Sequence, residues 1–189
     1  MAKQKPSLMH RTLTSTPVLG AVFAIANAYA QRGAPQAQIH IASLSQWWSR
    51  IFKKAFCVLV FVLMLDFITD ESIATSTWIP ADTILGAFPS ILGFGIGVYA
   101  LMFIMPSDFL TFLREKKSEG SPIGPEIVPV DMGYPLITYV LVMLIASICK
   151  VFPDTIWLKI ASYWALFYGL AMTIELVSFL FLTSKMIQK

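Results

Sequence analysis

The stretch FPSILGFGIGVYALMFIMP, Phe88 to Pro106, carries no charged residue and has glycines at alternate positions (Gly93, Gly95, Gly97). Pro89 and Pro106 border it. Extended back to about Thr83, it reaches the roughly 20 mostly apolar residues that a helix needs to cross a hydrocarbon core about 30 Å thick. Three further windows do the same: IFKKAFCVLVFVLMLDFI (51–68), YPLITYVLVMLIASICKVF (134–152) and IWLKIASYWALFYGLAMTIELVSFLFLTS (156–184). A strand in lipid would leave backbone N–H and C=O groups unpaired unless a barrel closed. Barrel strands alternate apolar and polar residues over about ten positions, whereas FCVLVFVLML (56–65) is apolar throughout. The expected fold is all-α. It is a polytopic transmembrane bundle of four spans within 51–184, the second at 83–105, with a cytoplasmic loop at 106–133. A basic segment, 1–50, precedes it and is expected to form a cytoplasmic or interfacial helix.

Composition agrees with that solvent. Apolar residues make up 57% of the 189 and charged residues 13%, and mean hydropathy is +0.70. A soluble domain carries about a quarter charged residues, so a soluble enzyme with one apolar helix is excluded.

Charge orients the spans. Twelve of the 14 Lys and Arg residues fall on one side: Lys3, Lys5, Arg11, Arg32, Arg50, Lys53, Lys54, Arg114, Lys116, Lys117, Lys185 and Lys189. Lys150 and Lys159 fall on the other, which also holds Asp66, Asp70, Glu71, Asp82 and Asp154. The positive-inside rule then places both termini and the 106–133 loop in the cytoplasm. That loop, LREKKSEGSPIGPEIVPVDMGYP (113–135 with its flanks), reads as a polar turn and an extended linker able to dock a cytoplasmic partner. Trp47, Trp48, Trp78, Trp157, Trp164, Tyr134 and Tyr163 fall mostly at span borders, as an aromatic belt does.

The N-terminal region has a basic start, a short apolar core from Val18 to Ala26 and an Ala28-Tyr29-Ala30 triplet. These are the parts of a secretory signal peptide. They also suit a retained amphipathic helix at the membrane surface, and retention is the favoured expectation.

Chemistry-bearing motifs are few. Cys57 and Cys149 lie inside expected spans and form no disulfide framework. His10 and His40 stand outside the spans. The sequence has no metal-ligand cluster, Walker loop, GxSxG elbow or His/Cys dyad. No cofactor and no enzymatic activity are expected. Glu175 alone lacks the second group that intramembrane catalysis needs. Basic residues without an aromatic platform or recognition fold do not mark a nucleic-acid binder.

The glycine block resembles a potassium-channel filter in its Gly93-Phe94-Gly95 triplet. It lacks the Thr-rich lead-in, having Ile91 and Leu92 there, and apolar sequence continues long enough to complete a crossing. Close helix packing fits better. Gly93 and Gly97 form G-x-x-x-G on one face, which Gly86 and Ser90 extend; small residues let backbones approach in lipid. Pro89 removes a backbone donor and is expected to kink the helix. The partner helix could belong to the same chain or to a second subunit.

Glu175 sits deep in the last window, where a charge is costly. Tyr168 and Ser178 share its face at helical spacing. The expected roles are a neutral carboxyl bonded within the bundle or, in a symmetric oligomer, a cation-attracting ring. Asp66 and Lys150 lie near span ends and could pair or reach the interface. Arg50, Lys53 and Lys54 beside Trp47-Trp48 read as a collar for anionic lipid headgroups.

FPSILGFGIGVYALMF and DMGYPL resemble blocks in small, mostly uncharacterised bacterial inner-membrane proteins. The resemblance implies an inner-membrane location and attaches no activity. Chains of this layout include subunits of oligomeric channels, some acting as membrane-disrupting effectors in phage defence. The expected function is a subunit of a homo-oligomeric pore or ion channel. The other reading is a non-conducting adaptor that recruits a cytoplasmic partner.

Overall fold

The computed structural model describes residues 8–69, 72–103, 107–118 and 124–187. Lys3, Lys5, Asp70, Glu71, Pro106 and Lys189 lie outside the described residues. Among the described residues all regular structure is helical and there is no strand. Helices α1 (Leu8–Ser15) and α2 (Leu19–Ala30) are followed by a 3-10 turn (Pro35–Gln38), α3 (Leu44–Trp47) and a π-helical turn (Trp48–Phe52). Then come α4 (Lys53–Ile68), α5 (Pro80–Phe103), α6 (Ser107–Ser118), α7 (Val128–Val151) and α8 (Ile156–Ile187).

Among the described residues three helices, α5, α7 and α8, are long and apolar enough to cross a membrane. Their ends follow the chemistry of helix termini. Pro80 begins α5, where its missing N–H costs nothing. Asp82 and Asp131 lie in the first turns of α5 and α7, and Lys150 in the last turn of α7. Each sign complements the helix dipole. Both α5 and α7 continue through an internal proline, Pro89 and Pro135.

The structure departs from the sequence-based expectations at two places, the first span being unconfirmed and the 106–133 segment partly helical. The segment expected as the first span forms a helix of only 16 residues, which rises about 24 Å. Lys53 and Lys54 at its start and Asp66 near its end confine its uncharged run. The 106–133 segment is not simply a turn and linker, because Ser107–Ser118 forms α6 and α7 starts at Val128 rather than at 134. The residues LREKK are strong helix formers, and they outweigh the Gly and Pro that follow them.

The chain divides into two compact units, one reaching to Phe52 with Gly97–Tyr134, the other Lys53–Ile96 with the chain from Pro135. In the first unit, fully buried Asn27 holds the segment after α2. Its Nδ2 donates to the Ala37 and His40 carbonyls at 2.9 Å each, and its Oδ1 accepts from the Ala42 N–H at 2.7 Å. One side chain thus satisfies three backbone groups that no helix pairs. Gly33, at φ 72°, ends the turn after α2, and any Cβ there would collide with the Glu126 carbonyl. Tyr29, in the Ala28-Tyr29-Ala30 triplet, is fully buried and stacks on Tyr134 with ring centroids 4.0 Å apart. Ser43 and Gln46 form a capping box that starts α3.

In the second unit α5, α7 and α8 converge at Gly169. A Cβ there would stand 2.5 Å from the Phe88 ring and 3.5 Å from Val142, so only glycine admits this approach. Beside it, the Tyr139 hydroxyl donates to Thr173 Oγ1 at 3.1 Å, and Thr173 Oγ1 donates to the Gly169 carbonyl at 3.0 Å. The chain satisfies these polar groups within an apolar core, as lipid requires. Helix α4 packs on α8: Phe61 meets Phe167 edge-on at 5.1 Å, and Trp164 Nε1 donates to the Ala55 carbonyl at 3.0 Å.

Candidate functional site

Two faces of α5 differ. Ile84, Phe88 and Gly95 are buried. A Cβ at Gly95 would lie 2.5 Å from Leu136 Cδ2, so α5 and α7 approach closely there. Gly86, Pro89, Ser90, Gly93 and Gly97 are all exposed. Among the described residues, a Cβ at Gly86, Gly93 or Gly97 would meet nothing within 4 Å. The chain therefore packs through the middle glycine, Gly95. The G-x-x-x-G pair and its extension by Gly86 and Ser90 form a shallow open face.

Glu175 has an ionic partner. Lys54 Nζ lies 2.5 and 2.6 Å from its two carboxylate oxygens, with side chains 31% and 28% exposed for Lys54 and Glu175. Partial burial strengthens such a pair relative to water. Pairing also offsets the cost of holding either charge at membrane depth. Tyr168, on the same helix, is buried and stacks on Trp164 at 4.9 Å. Ser178 is exposed.

The basic collar is rearranged. Arg50 lies in the π-helical turn, its guanidinium 4.3 Å above the Tyr29 ring. Its Nε donates to the Tyr29 carbonyl at 3.3 Å, and it forms an ion pair with Asp131. Arg50 and Lys54 are thus held by carboxylates of the chain, and Lys53 is exposed. The sequence did not give these two cations their carboxylate partners. Arg50 lies beside Asp131 and Lys54 beside Glu175.

Near the opposite ends of the spans, Lys150 pairs with Asp82. Asp66 accepts from Ser72 Oγ at 3.1 Å and from the Ile73 N–H at 2.7 Å, closing the turn after α4. In the α6–α7 connection, Glu126 forms an ion pair with Lys117. The Lys117 hydrogen bond holds the Glu126 carboxyl below its ordinary value, against a smaller opposing effect of burial.

Sequence reasoning missed Asn27, Asp131 and Gly169. Gly169 had one legible signal, a glycine amid bulky residues in YGLA (168–171). Asn27 stands in an otherwise apolar run, VFAIANAYA (22–30), where a polar residue asks for partners. No protein-family model, curated protein or solved structure matches the chain.

Proposed function

We propose that the protein is a subunit of a homo-oligomeric membrane pore, assembled through the open α5 face of Gly86, Ser90, Gly93 and Gly97. The carrying observation is that this face has no partner within the described chain, while Gly95 on the other side already serves intrachain packing. Apolar helices gain little from the hydrophobic effect in lipid, so close backbone approach becomes a main source of association. In a ring of subunits this face meets a different surface of the neighbouring copy, since a head-to-tail contact is what closes a ring.

The proposed topology has four crossings with both termini in the cytoplasm of a bacterial inner membrane. Three are α5, α7 and α8. The fourth is α4, whose 16 residues rise about 24 Å and call for local thinning of the bilayer. The twelve-to-two division of Lys and Arg supports an even number.

The pore reading treats Lys54–Glu175 as a paired, polarised element repeated around the axis. Glu175→Gln would then expose the Lys54 charge. Reversal potentials across a salt gradient test this at matched incorporation in planar bilayers. The wild-type protein is expected to conduct, and the variant to shift toward anion preference. Unchanged selectivity would remove Glu175 from the path. A confirmed oligomer that never conducts would support the second reading, a non-conducting adaptor. That reading rests on α6, whose exposed Arg114, Glu115 and Lys117 could engage a cytoplasmic protein.

A further inference from the structure

At one end of the second unit lies a cavity of about 370 Å³ between the segment entering α5, the end of α7 and the start of α8. That volume falls within the range of about 300–1,000 Å³ usual for small-molecule sites. Ser162 lines it. Its side-chain oxygen is buried and has no hydrogen-bond partner among the described residues, and the residue is only 3% exposed.

The reason lies one turn away. A helical serine ordinarily donates to the carbonyl four residues back, here Leu158. The Cys149 thiol from α7 donates to that carbonyl instead, at 3.1 Å. Thr173 and Thr183 on the same helix make the usual back-bond to Gly169 and Phe179. Ser162 does not, and a buried hydroxyl without a partner is costly.

The cavity is electrostatically mixed. Lys150 and Lys159 line it, and so does Asp154. Lys150 is neutralised by Asp82. Lys159 Nζ donates to the Ala74 carbonyl at 3.2 Å, and an ammonium has two further donors. With Lys150 paired, Lys159 and Asp154 remain as the cation and the anion among the described lining residues. Trp78 and Tyr163 supply apolar wall, their rings edge-on at 5.3 Å.

We propose that this cavity binds a zwitterionic phosphoethanolamine headgroup, the phosphate taken by Lys159 and Ser162 and the ammonium by Asp154. The charge balance disfavours a purely anionic headgroup, because its one net negative charge would face both Asp154 and Lys159. The hydroxyl and ammonium donors suit a phosphate with several acceptor oxygens. Placement at helix ends, beside interfacial aromatic residues, suits a lipid source. The proposal requires α5, α7 and α8 to span the bilayer, and it is independent of pore formation.

The test uses delipidated full-length protein in detergent, with Trp fluorescence read during titration and Trp78→Phe as the signal control. Probes are monomeric dihexanoyl phosphatidylethanolamine, dihexanoyl phosphatidylglycerol and free phosphoethanolamine. Saturable binding of the first is expected, tighter than either other probe. Ser162→Ala removes one hydrogen bond to the ligand and is expected to weaken it about fivefold. It breaks no hydrogen bond among the described residues, so folding is expected to be retained. Asp154→Asn is expected to abolish the preference over phosphatidylglycerol. Equal binding of free phosphoethanolamine would overturn the lipid source. Equal binding of the two lipids would overturn the zwitterion assignment. No saturable signal with any probe would overturn the site itself.

Discussion

At the scale of single residues, the decisive pairing is Lys54 with Glu175. The sequence marks Glu175 as costly at membrane depth, and it marks Lys54 as a basic residue near a span border. Nothing local links them, because 121 positions separate the two. Their encounter depends on α4 packing against α8, which periodicity does not encode. Arg50 and Asp131 show the same limit, at a separation of 81 positions. Ser43 and Gln46, by contrast, are three apart and need only local geometry. A double-mutant cycle tests the pairing. Lys54→Met and Glu175→Leu each leave a half-buried charge without its partner, whereas the double substitution leaves none. Thermal unfolding in detergent should show the double variant more stable than the sum of the single losses implies, with coupling of about 0.5–3 kcal/mol. Strict additivity would mean that the two groups do not interact in the folded protein.

At the scale of elements, long apolar runs made α5, α7 and α8 legible, since length and hydropathy suffice for a helix that lipid compels. Helix α4 is not confirmed as a span, because its charged ends leave it only 16 residues. Helix α6 was missed because the Gly and Pro residues of 120–125 dominated the reading of the whole segment. The sequence places Gly93 and Gly97 on one packing face with Gly86 and Ser90, gives Gly95 no role, and leaves the partner helix to the same chain or a second subunit. The structure packs Gly95 against Leu136 and leaves Gly93 and Gly97 open, since alternate glycines point to different sides of a helix. Gly95→Leu should therefore destabilise the fold by about 1–3 kcal/mol, the usual cost of overpacking. The measurement is the thermal midpoint of the monomer dissociated in harsh detergent, and an unchanged midpoint would deny the α5–α7 contact at Gly95–Leu136.

The α6–α7 connection adds a pH-dependent element. The Glu126 carboxyl is lowered from its ordinary 4.5 mainly by the Lys117 hydrogen bond. A lowered folded value means that the unfolded chain binds the proton first, so stability from this pair is present above that ordinary value. It is lost as pH falls through the lowered folded value. Comparison of Glu126→Gln with wild type should show a small deficit at neutral pH, under about 1 kcal/mol for a solvent-screened pair. The deficit should vanish in strong acid. A pH-independent difference would assign the effect to packing instead.

At the scale of the whole molecule, the helical, membrane-directed character was legible from composition. The number of crossings is less so, because α4 falls between a short core helix and a full span. The proposed association rests on the open α5 face, where a Cβ at Gly86, Gly93 or Gly97 meets nothing within 4 Å among the described residues. The most direct measurement is subunit counting by native mass spectrometry from nanodiscs, for the wild type and Gly97→Leu at equal membrane insertion. A defined wild-type oligomer that falls toward monomer in Gly97→Leu is the expected result. A monomeric wild type, or an oligomer that Gly97→Leu leaves intact, would contradict assembly through α5.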